Sequence, residues 1–168
     1  MSEVIYLVLG ILIICVGVYD LLYTTFAPRG AGVVSGITST FIWRLFLGVS
    51  IFLKTRKALA GAGIVIIMTT IVSWVLIIWA GHSLIYLSDV EAVVNSTTEV
   101  PAKPMDRIYF TGYTLSSLGN GDFKGGTEGW RIYTAFISFS GLILITIAIS
   151  YMVPILSAVT ERRTLSIR

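Results

Sequence analysis

Residues 117–122 read Ser117-Leu118-Gly119-Asn120-Gly121-Asp122 and follow Thr114-Leu115-Ser116. Two glycines alternate with other residue types. Glycine takes φ > 0 at no steric cost, so such a run can turn successive carbonyls toward one line. One line of carbonyls cannot encircle an ion. Four lines around an axis can, and rings of backbone carbonyls replace an ion's hydration shell. The chemistry on offer is reversible coordination of a cation by oxygen. The chain holds one histidine, His82, one cysteine, Cys15, and no acid cluster in its apolar runs. That composition offers little for acid–base or metal catalysis, so neither an enzyme nor a cofactor is expected.

The elements that must position this stretch are apolar. Of 168 residues, 55% are hydrophobic and 12% charged, with a mean hydropathy of +0.88. Soluble domains carry about 25% charged residues, so the chain reads as an integral membrane protein. The first apolar run, Val4 to Phe26, would cover about 35 Å as a helix, enough for one crossing. Asp20 near its end calls for a hydrogen bond or an ion pair, with Arg29 or Arg44 as candidate partners. Pro28 and Gly30 break that helix. From Ser35 to Lys57 the apolar part, Phe41 to Leu53, is short, and Arg44 would lie near the middle of any longer span. Thr40, Arg44, Gly48 and Thr55 recur at helical spacing, which suits a helix lying in the interface. A fourth span over about 33–53 is the competing reading.

A long span follows from about Ala60 to Leu87, with Trp74, Trp79 and Tyr86 placed to anchor its outer half. His82 suits a packed residue better than a pH sensor. A polar loop leads to Asp106, which fits an N-cap for a short helix running to the glycine-alternating stretch. The last span runs from Trp130 to about Val159, with Pro154 able to kink it. Residues 27–60 hold Arg29, Arg44, Lys54, Arg56 and Lys57 and no acid, and the tail holds Arg162, Arg163 and Arg168. The positive-inside rule makes both cytoplasmic and puts the N-terminus outside.

Span, short helix, Gly-x-Gly and second span together resemble the pore module of the potassium channel family. That family's filter is usually written Thr-Val-Gly-Tyr-Gly-Asp. Gly119, Gly121 and Asp122 match it, and Gly141 stands twenty residues beyond Gly121, where the resemblance puts the inner-helix hinge. The N-terminal part is similar to small prokaryotic members. The resemblance implies an all-α membrane protein: three transmembrane helices, an interfacial helix, a re-entrant pore helix, and a tetrameric pore. Its parts would be an N-terminal span (1–27), a cytoplasmic or interfacial segment (28–59) and a pore domain (60–163). The pore domain divides into outer helix 60–88, loop 89–105, pore helix 106–116, filter 117–122 and inner helix 130–159, before a tail at 164–168.

The resemblance further implies potassium sites on the carbonyls of Ser117, Leu118, Gly119 and Asn120, with Gly121 completing the filter. The Ser117 hydroxyl would serve the innermost site. Thr114, Tyr113 and Asp122 would support the filter, Asp122 by hydrogen-bonding behind it. Tyr109 and Phe110 fall where an aromatic cuff stands. Gly141 and Pro154 would be gating hinges, although Gly141 also reads as a close-packing glycine. Two departures bear on selectivity. Ser117 replaces threonine, and Asn120 replaces the usual aromatic, a space that Tyr113 is expected to fill. The function implied is a homotetrameric, potassium-selective channel of the cell membrane, in contact with lipid and not with nucleic acid. The alternatives are a weakly selective sodium and potassium channel and a non-conducting accessory subunit.

Overall fold

The computed structural model describes residues 2–27, 30–55, 59 and 61–165, the last twelve as backbone only. Its elements are α1 (Ser2–Phe26), α2 (Val33–Phe52), α3 (Ala62–Leu87), β1 (Val93–Asn95), α4 (Pro104–Leu115), β2 (Phe123–Gly125) and α5 (Glu128–Leu165). α1, α2, α3 and the Glu128–Val153 part of α5 are each long and apolar enough to cross a membrane. α4, with 12 residues, is not. α5 continues through Pro154 to Leu165. Arg29, Arg56, Lys57 and residues 166–168 lie outside the described residues.

The chain divides into two compact units, Met1–Val18 with Val75–Ile145, and Tyr19–Trp74 with Thr146–Arg168. In the first, α1 packs against α3 through glycine. A Cβ on Gly10 would meet the Gly81 carbonyl at 2.7 Å, and one on Gly17 would meet Ile77 at 2.9 Å. The two backbones approach closely because no side chain separates them, as is usual where helices meet in lipid. As residue number rises along α1, the contacts fall back along α3, so the helices are antiparallel. An aromatic cluster then fastens α4. Phe110 packs edge-on to Tyr86 (5.3 Å between centroids) and Tyr113 (5.3 Å), and Tyr86 packs against Trp130 and Tyr133. Tyr86 and Trp74 are fully buried, which corrects their expected role as interfacial anchors. Each phenol or indole finds a partner inside the fold. The Tyr86 hydroxyl meets Thr134 Oγ1 at 2.7 Å, and His82 Nδ1 meets the Tyr133 hydroxyl at 2.8 Å.

Two three-residue strands were not foreseen. β1 pairs antiparallel with β2, setting Val93 opposite Gly125 and Asn95 opposite Phe123. This joins the polar loop before α4 to the segment just after the glycine-alternating stretch.

The second unit is built on Asp20. Its carboxylate, buried in α1, accepts from the Val34 amide (2.7 Å), the Ser35 amide (3.1 Å), the Ser35 hydroxyl (2.5 Å) and Trp74 Nε1 (2.9 Å). Val34 and Ser35 belong to the first turn of α2, whose N-cap residue, Gly32, offers no side chain. Asp20 therefore caps α2 from a neighbouring helix, satisfying amides that the helix itself leaves unpaired. Thr24 extends the cap, accepting from the Gly32 amide (2.9 Å) and donating to Ser35 Oγ (3.0 Å). A Cβ on Gly32 would overlap Asp20 Oδ1, so the close approach requires glycine there. The expected need for a partner is met by hydrogen bonds. Among the described residues no base pairs with Asp20.

Asp20→Ala strips one acceptor group from four donors at once and should destabilise the protein by on the order of 3 kcal/mol. Trp74→Phe removes one donor and should cost about 1 kcal/mol. Thermal unfolding in detergent compares them. Equal losses would mean that the α2 amides find other acceptors.

Candidate functional site

α4 forms because Pro104 pre-sets φ at its first position and Asp106 places a negative charge in its first turn. Its N-cap is Lys103, with no side-chain cap bond, so the expected N-cap at Asp106 is corrected by three residues. Arg107 anchors this end instead. Its guanidinium is buried and donates to the carbonyls of Ala102 (2.9 Å), Asp89 (3.0 Å) and Val90 (3.0 Å). Burial lowers its pKa and the charge of Asp89 opposes that shift. The sequence offered no sign of this beyond an arginine in a short helix. Trp79 Nε1 holds the middle of α4 by donating to the Ile108 carbonyl at 3.0 Å.

The C-terminal end of α4 is held by α5. Ser138 Oγ donates to the Thr114 carbonyl at 3.2 Å. One turn on, a Cβ at Gly141 would overlap the Leu115 carbonyl. Gly141 thus lets the backbone of α5 lie directly against the end of α4. Ser116 closes α4, its amide donating to the Gly112 carbonyl at 3.1 Å. The Ser117 and Leu118 amides reach back to Thr114 (2.9 Å) and Tyr113 (3.0 Å).

Beyond this point the backbone changes character. Ser117, Gly119 and Gly121 have φ of 58°, 62° and 80°. Left-handed residues therefore alternate with others across the stretch. Such alternation can turn successive carbonyls to one side, whereas an ordinary strand sends them to opposite sides. Ser117 takes this conformation without glycine's freedom, a strain of about 1–3 kcal/mol of the kind that gathers at functional sites. Among the described residues, the carbonyls of residues 117–121 accept no hydrogen bond. The chain re-enters regular structure at Asp122, whose carbonyl accepts from the Ser96 amide at 3.0 Å, and then at β2.

The expected supporting residues are distributed differently from the sequence reading. Asn120 Nδ2 donates to the Tyr109 hydroxyl. Tyr113, expected to fill the space beside Asn120, lines one cavity with Gly119 and Gly121 and donates to the Phe123 carbonyl at 3.2 Å. Burial pushes the Tyr113 hydroxyl up to about 12, so it stays protonated and remains a donor. Tyr109 and Tyr113 pack edge-on at 5.1 Å, so the two phenols brace the stretch on either side of its second glycine. The Ser117 hydroxyl donates to the Ser138 carbonyl at 3.3 Å. Asp122 is exposed, and among the described residues its carboxylate makes no hydrogen bond within the chain. Nearby, Lys124 pairs with Glu99 at 2.8 Å, and that hydrogen bond lowers the Glu99 pKa. Pro154 lies beyond the described side chains.

Backbone without partners is tolerated at membrane depth only where protein buries it or where it lines a water-filled path. Four helices long and apolar enough to cross, with a short helix delivering such backbone between the last two, define a multi-pass membrane protein. The family model described as "Ion channel" matches residues 64–158, more than half of the chain, and the chain belongs to that ion channel family. It is a family of channels, not of enzymes. The chain is also similar to the uncharacterized membrane protein YdjJ of Bacillus subtilis (strain 168). The two are 34% identical over 160 residues, covering 95% of this chain and 46% of that protein. The chain therefore spans about half the length of that curated relative. No solved structure matches it.

Gly141→Ala forces a methyl against a backbone carbonyl that cannot rotate away. It should cost about 1–3 kcal/mol and loosen the end of α4, read as a lower unfolding temperature in detergent. Gly48→Ala, where nothing lies within 4 Å, is the matched control and should be neutral or stabilising. Equal behaviour of the two variants would mean that α5 does not rest on the Leu115 carbonyl.

Proposed function

We propose that the chain is the pore-forming subunit of a homotetrameric, potassium-selective channel, and that residues 117–121 form its filter. The observation that carries this reading is the run of unpartnered carbonyls whose backbone alternates in handedness. One chain supplies one line of carbonyls, and an ion of potassium's size needs several lines around it. α4 is then the pore helix, with the negative end of its dipole toward the ions. α5 is the inner helix, with Gly141 and Pro154 as its points of bending. Ile132, Phe136, Phe139 and Ile143 recur at helical spacing and are all exposed, a face suited to neighbouring subunits.

Basic residues between α1 and α3 support a cytoplasmic position for that segment, in a cell membrane whose other side faces the N-terminus and the filter mouth. The antiparallel α1 and α3 present two ends on one side of the membrane. The single helix joining them, α2, then lies in the interface, because one crossing would leave it on the wrong side. Exposed apolar residues around α2 agree with that position: of its residues only Ser35 and Ile42 are buried. In a Cys15→Ala background, Ser39→Cys and Ser50→Cys should react with a membrane-impermeant maleimide from the same, cytoplasmic side. Labelling from opposite sides would make α2 a fourth span.

A weakly selective cation channel is the second reading, favoured by Asn120, which a single side-chain hydrogen bond holds in place. Protein in planar bilayers, with potassium on one side and sodium on the other, separates the two. A reversal near the potassium equilibrium potential supports selectivity, and a reversal near zero supports the second reading. A chain that neither conducts nor forms tetramers overturns both. Tyr109→Phe removes the acceptor for Asn120 and should lower the potassium-to-sodium permeability ratio by roughly fivefold, the worth of about one hydrogen bond. An unchanged ratio would remove Tyr109 from the account of selectivity.

A further inference from the structure

α2 carries a feature that ion conduction does not use. Gly32, Gly36, Thr40 and Arg44 follow at intervals of four, so they share one face of the helix. They line a groove of about 560 Å³ together with Ile37 and Phe41. Its floor is backbone: a Cβ on Gly36 would meet nothing closer than Ala31 at 4.0 Å. Arg44 lies at one end of the lining. It is exposed, and among the described residues it makes no hydrogen bond or ion pair. Its surroundings along the helix are the exposed apolar side chains of Phe41, Trp43, Leu45 and Leu47.

A guanidinium in such a setting needs an anion, and arginine on a membrane segment generally marks a site whose partner can be named. No acid occurs from residue 21 to residue 88, so this part of the chain supplies no counter-charge of its own. An apolar groove ending at one cation matches a molecule with an apolar tail and one anionic head. We infer that this face of α2 binds an anionic phospholipid, with the phosphate forked by Arg44 and an acyl chain lying in the groove beside Gly36. The planar guanidinium suits bidentate phosphate recognition, and the basic residues flanking α2 raise the local concentration of anionic lipid.

This inference rests on the interfacial placement of α2, and the maleimide labelling above tests that placement separately. Same-side labelling without lipid preference would overturn the lipid site alone. The test is native mass spectrometry of the full chain in a neutral detergent, titrated with phosphatidylglycerol, with phosphatidylcholine or with inorganic phosphate. Phosphatidylglycerol should be retained in preference to phosphatidylcholine. Arg44→Gln should weaken its retention by roughly fivefold, as expected for one basic contact at a membrane surface. Gly36→Leu, which fills the groove and keeps the charge, should weaken it as well. Lys54→Gln, outside the groove, should change it less than about twofold, because its charge acts only through the screened surface field. Four results overturn the proposal: unchanged retention in both groove variants, an equal loss in Lys54→Gln, equal binding of phosphatidylcholine, or displacement of the lipid by millimolar phosphate.

Discussion

Among the described residues, five carbonyls in sequence accept no hydrogen bond, and this sets the constraint under which the segment between α4 and α5 is built. Such a segment contributes little to its own stability, so its position must be imposed from outside. Each neighbouring contact does this through backbone. Arg107 holds the start of α4 by three carbonyls, and Trp79 holds its middle by one. At its end, Ser138 donates to Thr114 and Gly141 admits Leu115. Tyr113 catches the chain again at the Phe123 carbonyl after the stretch has passed. The strain at Ser117 persists because both flanks are fixed.

The same economy appears around Asp20. A buried carboxylate is costly unless it is hydrogen-bonded, and here four donors converge on it from two directions. Two of them are helix amides, so the charge meets the positive end of α2, while Trp74 brings a third segment of the chain to the same point. A polar residue in an apolar span thereby becomes the joint that fixes where the next helix starts.

What the sequence made legible was local. Apolar runs predicted helices, and glycine alternation marked the stretch whose backbone takes left-handed angles. What it hid depends on distant pairing. β1 and β2 are three residues each, too short to show a period, and they meet across α4. The partner of Asn120 is Tyr109 and not Tyr113, a choice made by how the chain folds back along α4, which no spacing rule encodes. Trp74 read as an interfacial anchor because its partner, Asp20, lies 54 residues away. Asp106 read as an N-cap because its chemistry suits one, but Pro104 can occupy the first turn and starts the helix earlier.

α2 shows why hydropathy alone is a poor judge of a membrane segment. Its 20 residues are long and apolar enough to cross, and nothing in their order forbids it. The deciding constraint lies in two other helices. Glycine contacts at Gly10, Gly17 and Gly81 run α1 and α3 in opposite directions, and the interfacial placement proposed for α2 is the one that begins and ends it on one side when both of those helices cross. A spanning α2 would require one of those helices to reverse and its glycine contacts to be lost. It would also carry Arg44 to the middle of the bilayer, at about 2.5–3.5 kcal/mol on insertion scales. In the interface the same arginine would reach headgroups while the apolar residues around it would reach acyl chains. Parity of crossings and the cost of one charge therefore favour the same position for α2, although length and composition allow either.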